Sequence, residues 1–138
     1  MKFVFADTIY WIAIVKEDDQ WHDSAKRARD SLGNALLLTT DEILIEFLAA
    51  LSSSGESIRT QAVKMARAIL ANPNIKVVPQ TRDSFLRGIE LYNERPDKAY
   101  SLVDCISMNT MKSESVVEIL TNDHHFEQEG FRALITPT

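Results

Sequence analysis

Two spacings of apolar residues alternate along the chain. Short, largely apolar runs at residues 2–6 (KFVFA), 35–38 (ALLL), 75–79 (IKVVP), 116–120 (VVEIL) and 131–135 (FRALI) predict buried strands. Between them the spacing turns helical. Residues 8–15 predict a helix that "KEDDQ" breaks, and residues 22–32 a surface helix closed by Gly33-Asn34. Thr39-Thr40 open a helix that runs to about Leu51, with Thr39 and Glu42 spaced as a capping box. After a loop at 52–57, Ile58, Ala62, Met65, Ala66 and Ile69 form one stripe that stops at Asn72-Pro73. Helices are also predicted from Thr81 to about Glu94, from Ser101 to Lys112, and as a short piece near 123–129.

Strands alternating with helices imply βαβ units, so the expected fold is α/β. It is a single domain over 1–138, with a central parallel sheet of four to five strands and helices on both faces. At 138 residues and 45% hydrophobic, the chain buries a substantial core, and with 25% charged residues and no low-complexity segment it is not disordered. The single cysteine, Cys105, excludes an internal disulfide and fits a reducing compartment. Asp7 interrupts the apolar start, which therefore does not read as a signal peptide. The apolar window 43–51 contains Glu46 and is too short to cross a bilayer. A soluble, cytoplasmic protein is expected. The net charge of −5 argues against a broad nucleic-acid-binding surface, but not against a nuclease with acids gathered around metal ions.

In open parallel sheets the ligand crevice lies beyond the carboxyl ends of the strands. That rule selects Asp7 after the first strand, Asp123 after the fourth, Asp104 in the first turn of the helix from 101, and Glu46 in the helix after the second strand. Each has a plainer role available. Asp7 and Asp123 stand where helix caps stand, and Ser101 to Asp104 has capping-box spacing. Glu46 fits the plain reading least, because Ile43, Phe47 and Ala50 share its helix face and an uncompensated carboxylate there is costly. Taken together, four acids drawn from separate strand ends repel unless a divalent cation holds them. Oxygen-only ligands favour Mg²⁺ or Mn²⁺ over zinc. No GxxxxGK[ST] loop or GxGxxG turn is present, so nucleoside-triphosphate and dinucleotide chemistry lack support.

Four segments, "FADTIYWIA" (5–13), "DEILIEFLAAL" (41–51), "YSLVDCISM" (100–108) and "LTNDHHFEQEGFRAL" (120–134), together resemble the PIN domain family, and within it the VapC-type ribonuclease toxins of toxin–antitoxin modules. The resemblance implies an acidic pocket for Mg²⁺ or Mn²⁺ made by Asp7, Glu46, Asp104 and Asp123, with Thr8 and Asn122 as further contributors. Asp7 and Asp104 would hold the main metal, with Glu46 and Asp123 acting directly or through water. It also implies an RNA substrate, a small antitoxin partner and a homodimer. A catalytically silent binding module is the alternative, and the four costly acids count against it. A receiver-type phosphoacceptor would need paired acids after the first strand, where "FADTIY" has one.

The remaining chemistry-bearing residues read as structural. Adjacent His124 and His125 point about 100° apart on a helix and cannot share a metal. His125 with Phe126 is expected to pack at the sheet edge, and His22 to be partly buried. Cys105 has no catalytic partners and reads as a packed thiol. Tyr10 and Trp11 read as core. Lys16, Lys26, Arg27 and Arg29 read as a solvated face, with local contact to RNA phosphates as the other reading.

Overall fold

The computed structural model describes residues 2–137. Five strands form one sheet, with every pairing parallel: β1 (Phe3–Ala6), β2 (Leu36–Thr40), β3 (Ile75–Val78), β4 (Glu118–Leu120) and β5 (Arg132–Ala133). Between β1 and β2 run α1 (Thr8–Val15) and α2 (His22–Asp30), and between β2 and β3 run α3 (Asp41–Ala50) and α4 (Glu56–Ala71). The helices α5 (Arg82–Glu94) and α6 (Leu102–Ser113) precede β4, and a 3₁₀ turn over His124–Glu129 precedes β5. Helices α1 to α4 pack among themselves, and α5 packs on α6.

The strand order is β3-β2-β1-β4-β5. The chain steps outward from β1 to β3, then returns across the sheet to lay β4 on the other side of β1. The direction of winding therefore reverses between β1 and β4, and the crevice of such a sheet opens beyond the carboxyl ends at that point. The order also departs from the 2-1-3-4-5 arrangement of receiver-type sheets, which removes the phosphoacceptor reading.

The central strands are apolar on both faces, as a sheet covered on both sides requires: Val4, Phe5, Leu38, Ile119 and Leu120 are fully buried, with Phe47, Met108, Met111 and Phe126 packed among them. Tyr10 and Trp11 belong to this core, their rings edge to face at 4.9 Å. Cys105 is buried and His22 half-buried, its Nδ1 2.6 Å from the Ala13 carbonyl oxygen. Gly33 takes a left-handed φ of 60° where α2 gives way to β2.

Several boundaries differ from the sequence reading. Thr39 and Thr40 finish β2 rather than opening the helix, β4 begins at Glu118 rather than Val116, and β5 is two residues long. The Thr39–Glu42 capping box does not form. Thr40 is the cap, its Oγ1 accepting from the Ile43 N–H at 3.1 Å, while buried Thr39 donates to the Ala6 carbonyl at 3.0 Å. Two adjacent threonines offered two registers, and the one that satisfies a buried carbonyl of the neighbouring strand prevails.

Helices α5 and α6 meet at Gly88, where an added Cβ would lie 2.6 Å from Ile106 Cγ1 and 3.2 Å from Leu102 Cδ1. Gly88→Ala is expected to lower stability by about 1–2 kcal/mol, because overpacking outweighs the better helix propensity of alanine. Chemical denaturation measures this loss directly, and a stabilised variant would contradict it.

Candidate active site

Asp7 follows β1 directly. Its backbone N–H donates to the Leu120 carbonyl of β4 at 3.3 Å, which pulls the end of β1 against the end of β4. Although Asp7 occupies the cap position of α1, its carboxylate makes no capping bond. Instead Oδ2 accepts a 2.8 Å hydrogen bond from Thr121 Oγ1, and the residue is buried. Burial, chiefly, raises its pKa from 3.8 to about 7; the nearby Asp104 and Glu46 carboxylates push the same way, against the lowering effect of the bond from Thr121.

Glu46, half-buried on α3, accepts a short hydrogen bond from the Thr8 hydroxyl. Its helix face is less buried than the sequence suggested, since Ala50 is exposed while Ile43 and Phe47 are core. Asp104 stands in the first turn of α6, where the expected capping box forms: Oδ2 accepts from the Ser101 N–H at 2.9 Å and Ser101 Oγ accepts from the Asp104 N–H at 3.0 Å. Burial raises the Asp104 pKa, with the Asp123 carboxylate adding to the rise.

Asp123 caps the 3₁₀ turn, accepting from the His125 N–H at 2.9 Å, and its own N–H donates to Thr121 Oγ1 at 3.1 Å. Ligand atoms of Asp104, Asp123 and His125 lie within 4.8 Å of one another. His124 points away to Glu127. The two histidines thus do diverge, but His125 turns toward the acids, its Nδ1 3.1 Å from Asp123 Oδ1, while Phe126 alone enters the core. Asn122 is half-buried, and its side chain makes no hydrogen bond among the described residues.

The acids gather where the winding reverses, with Asp7 and Glu46 one step outside the tighter Asp104–Asp123–His125 set. The groove of 320 Å³ lined by Lys76, Val78, Ile106 and Asn109 contains none of them. Among the described residues no lysine or arginine forms an ion pair with Asp7, Glu46, Asp104 or Asp123. One buried and three half-buried carboxylates without a lysine or arginine partner, mostly oxygen donors, and a raised Asp7 pKa are what a divalent-metal site presents without its ion.

Comparison with known proteins agrees with this geometry. The profile of the PIN domain matches residues 4–131. This chain belongs to the PIN domain family. Two curated members are similar to it, the 23S rRNA-specific endonucleases VapC20 of Mycobacterium tuberculosis strains CDC 1551 and H37Rv. Each is 26% identical over 128 residues, covering 93% of this chain and 95% of the relative. The crystal structure of M. tuberculosis VapC20, a sarcin–ricin loop-cleaving toxin, superposes with a TM-score of 0.82 at 26% identity over 93% of this chain and 95% of that one.

Besides setting His125 aside, sequence reading missed one residue that touches the acids. Thr121 was not among the residues selected from the sequence, yet its fully buried hydroxyl donates to Asp7 and accepts from the Asp123 backbone, joining two acids 116 positions apart (123 − 7). A hydroxyl directly after an apolar strand was the available signal. Thr121→Val is expected to lower stability by about 1–3 kcal/mol and weaken Mn²⁺ binding about tenfold, since Asp7 loses the donor that favours its charged form. Calorimetric titration with Mn²⁺ reads the second effect, and unchanged affinity would contradict it.

Proposed function

We propose that this PIN domain is a metal-dependent endoribonuclease, the toxin of a toxin–antitoxin pair. The observation that carries the reading is the convergence of four acids without a lysine or arginine partner at the reversal point of a PIN fold, in a chain similar over most of its length to VapC20. Asp7 and Asp104 are the principal carboxylates for Mg²⁺ or Mn²⁺, and Glu46 and Asp123 complete the cluster directly or through water. Bound there, the ion supplies an activated water and neutralises charge on the phosphodiester. Thr8 orients Glu46, and Thr121 aims Asp7. Asn122 belongs to the turn that presents Asp123. A silent binding module has no use for the costly desolvation of Asp7 and Asp104.

RNA is the substrate class, and the cytoplasm, where RNA is met, is the proposed location. Phe85, Leu86, Ile89 and Tyr92 are exposed on α5, an apolar face that supports association with protein, and we assign an antitoxin and a second copy of the chain as partners.

Expression of wild type and Asp104→Asn in cells, with growth curves and mapping of new RNA 5′ ends, tests the function. A sarcin–ricin loop oligonucleotide with Mg²⁺ or Mn²⁺ is the first defined substrate to try. Wild type alone should arrest growth and create new ends. New ends of equal abundance with Asp104→Asn would remove the assignment.

A further inference from the structure

Asp104 and the Asp123–His125 pair reach the site on segments that the sheet does not hold together. Asp104 follows the loop at 95–101 between α5 and α6, whereas Asp123 and His125 stand at the start of the 3₁₀ turn. Among the described residues no backbone hydrogen bond joins 95–101 to 124–130. Side chains join them instead. Arg95, the C-cap of α5, donates from Nε to Glu129 Oε2 at 3.0 Å and from Nη2 to Glu129 Oε1 at 3.2 Å, a two-bond fork onto the last residue of the turn. The Tyr100 hydroxyl donates to the same Glu129 Oε2 at 2.9 Å. The Glu129 side chain is only 8% exposed, and its carboxyl is held below the usual range, first by the bond from Arg95.

The unit touches the site at two points. The Tyr100 ring, 4% exposed, packs edge to face on the His125 ring at 5.9 Å between centroids. Tyr100 also directly precedes Ser101, whose backbone N–H donates to the Asp104 carboxylate and whose hydroxyl accepts from the Asp104 N–H. With both oxygens engaged by Arg95 and Tyr100, Glu129 is an acid close to the cluster that is occupied structurally.

We infer that Arg95, Tyr100 and Glu129 are positioning residues that set the spacing of Asp104 from Asp123 and His125, and so the grip of this site on a divalent ion. The inference rests on the ribonuclease reading, in which that spacing governs the reaction. A carboxylate displaced by a fraction of an ångström loses more in metal affinity than in fold stability, and residues that orient metal-holding groups typically account for ten- to hundredfold in affinity or rate.

The test compares Tyr100→Phe, which deletes one hydroxyl and keeps the ring, with Arg95→Lys, which keeps the charge and loses the fork. Each is measured for Mn²⁺ affinity by isothermal titration, for kcat and KM on RNA, and for melting temperature. The expected result is a loss of about tenfold in both Mn²⁺ affinity and kcat for each variant, with KM for RNA within about twofold. A lowered melting temperature with Mn²⁺ affinity and kcat unchanged in Tyr100→Phe would mean a purely structural role and overturn the inference. Should Arg95→Lys fail to fold, Tyr100→Phe decides alone. Wild type that binds Mn²⁺ but leaves RNA intact removes the ribonuclease reading, and the Mn²⁺ titrations then decide the inference. Wild type that binds no Mn²⁺ overturns both.

Discussion

Asp104→Asn is expected to reduce RNA cleavage about a thousandfold, equivalent to about 4 kcal/mol of transition-state stabilisation, while the protein stays folded. The separation of the two effects follows from the two tasks of this side chain. As the third residue of α6 it accepts the Ser101 N–H, which a neutral carboxamide oxygen also does. As a carboxylate beside Asp123 it contributes negative charge for a cation, which Asn cannot. Burial already raises its pKa, so the neutral replacement also removes a charge that the fold tolerates poorly. Asp104→Ala loses the cap as well and should cost about 1 kcal/mol more in stability than Asn. Steady-state cleavage in Mg²⁺ and thermal melting, run on both variants, check the pair of outcomes. An Asn variant cleaving at the wild-type rate would sink the role given to Asp104.

Without metal, the wild type should lose stability as pH rises from about 4 to 8, by an amount on the order of 2–4 kcal/mol from Asp7. The sign comes from the direction of its shift. In the folded protein Asp7 holds its proton up to about pH 7, whereas the unfolded chain releases it near 3.8. Between those values the folded state binds more protons, so each rise in pH favours unfolding. Asp104, also raised, acts in the same sense. Glu129 acts oppositely: its lowered pKa contributes stability that is lost as pH falls through the folded value. Divalent metal should reverse the loss, because it binds the ionised form and only the folded state assembles the site. Asp7→Asn should flatten the profile, raise the metal-free melting temperature at pH 8 by about 5 °C or more, and abolish cleavage. Melting curves across pH with EDTA or Mn²⁺ provide the measurement. A wild-type curve that rises toward pH 8 without metal would refute the assignment.

The strands, the helices and the parallel sheet were legible because each apolar run is short and bounded by a change of period. The acids were legible because the crevice rule needs only the order of strands and helices. What escaped were choices among neighbours that tertiary contacts decide. Thr39 and Thr40 are equivalent locally, and the Ala6 carbonyl on the adjacent strand separates them. Thr121 looks like any turn residue until β4 lies beside β1 and brings Asp7 to it. His125 was set aside on helical geometry, and the divergence from His124 holds, yet only the fold shows that Asp104 stands on its side. The Arg95–Glu129 fork links residues 34 apart, and no periodicity reports such a pair.

The return of the chain to lay β4 against β1 has a consequence for how the protein is made. Asp7 is made well before its hydroxyl partner, which lies 114 positions later, and before Leu120, on which its backbone is anchored. A nascent or prematurely ended chain that stops before residue 118 has three acids, no donor for Asp7 and no β4 beside β1. Nuclease competence therefore arises late in synthesis and in one step. Products that stop short of β4 are inert, and any partner that must restrain the nuclease has until β4 is made to be at hand.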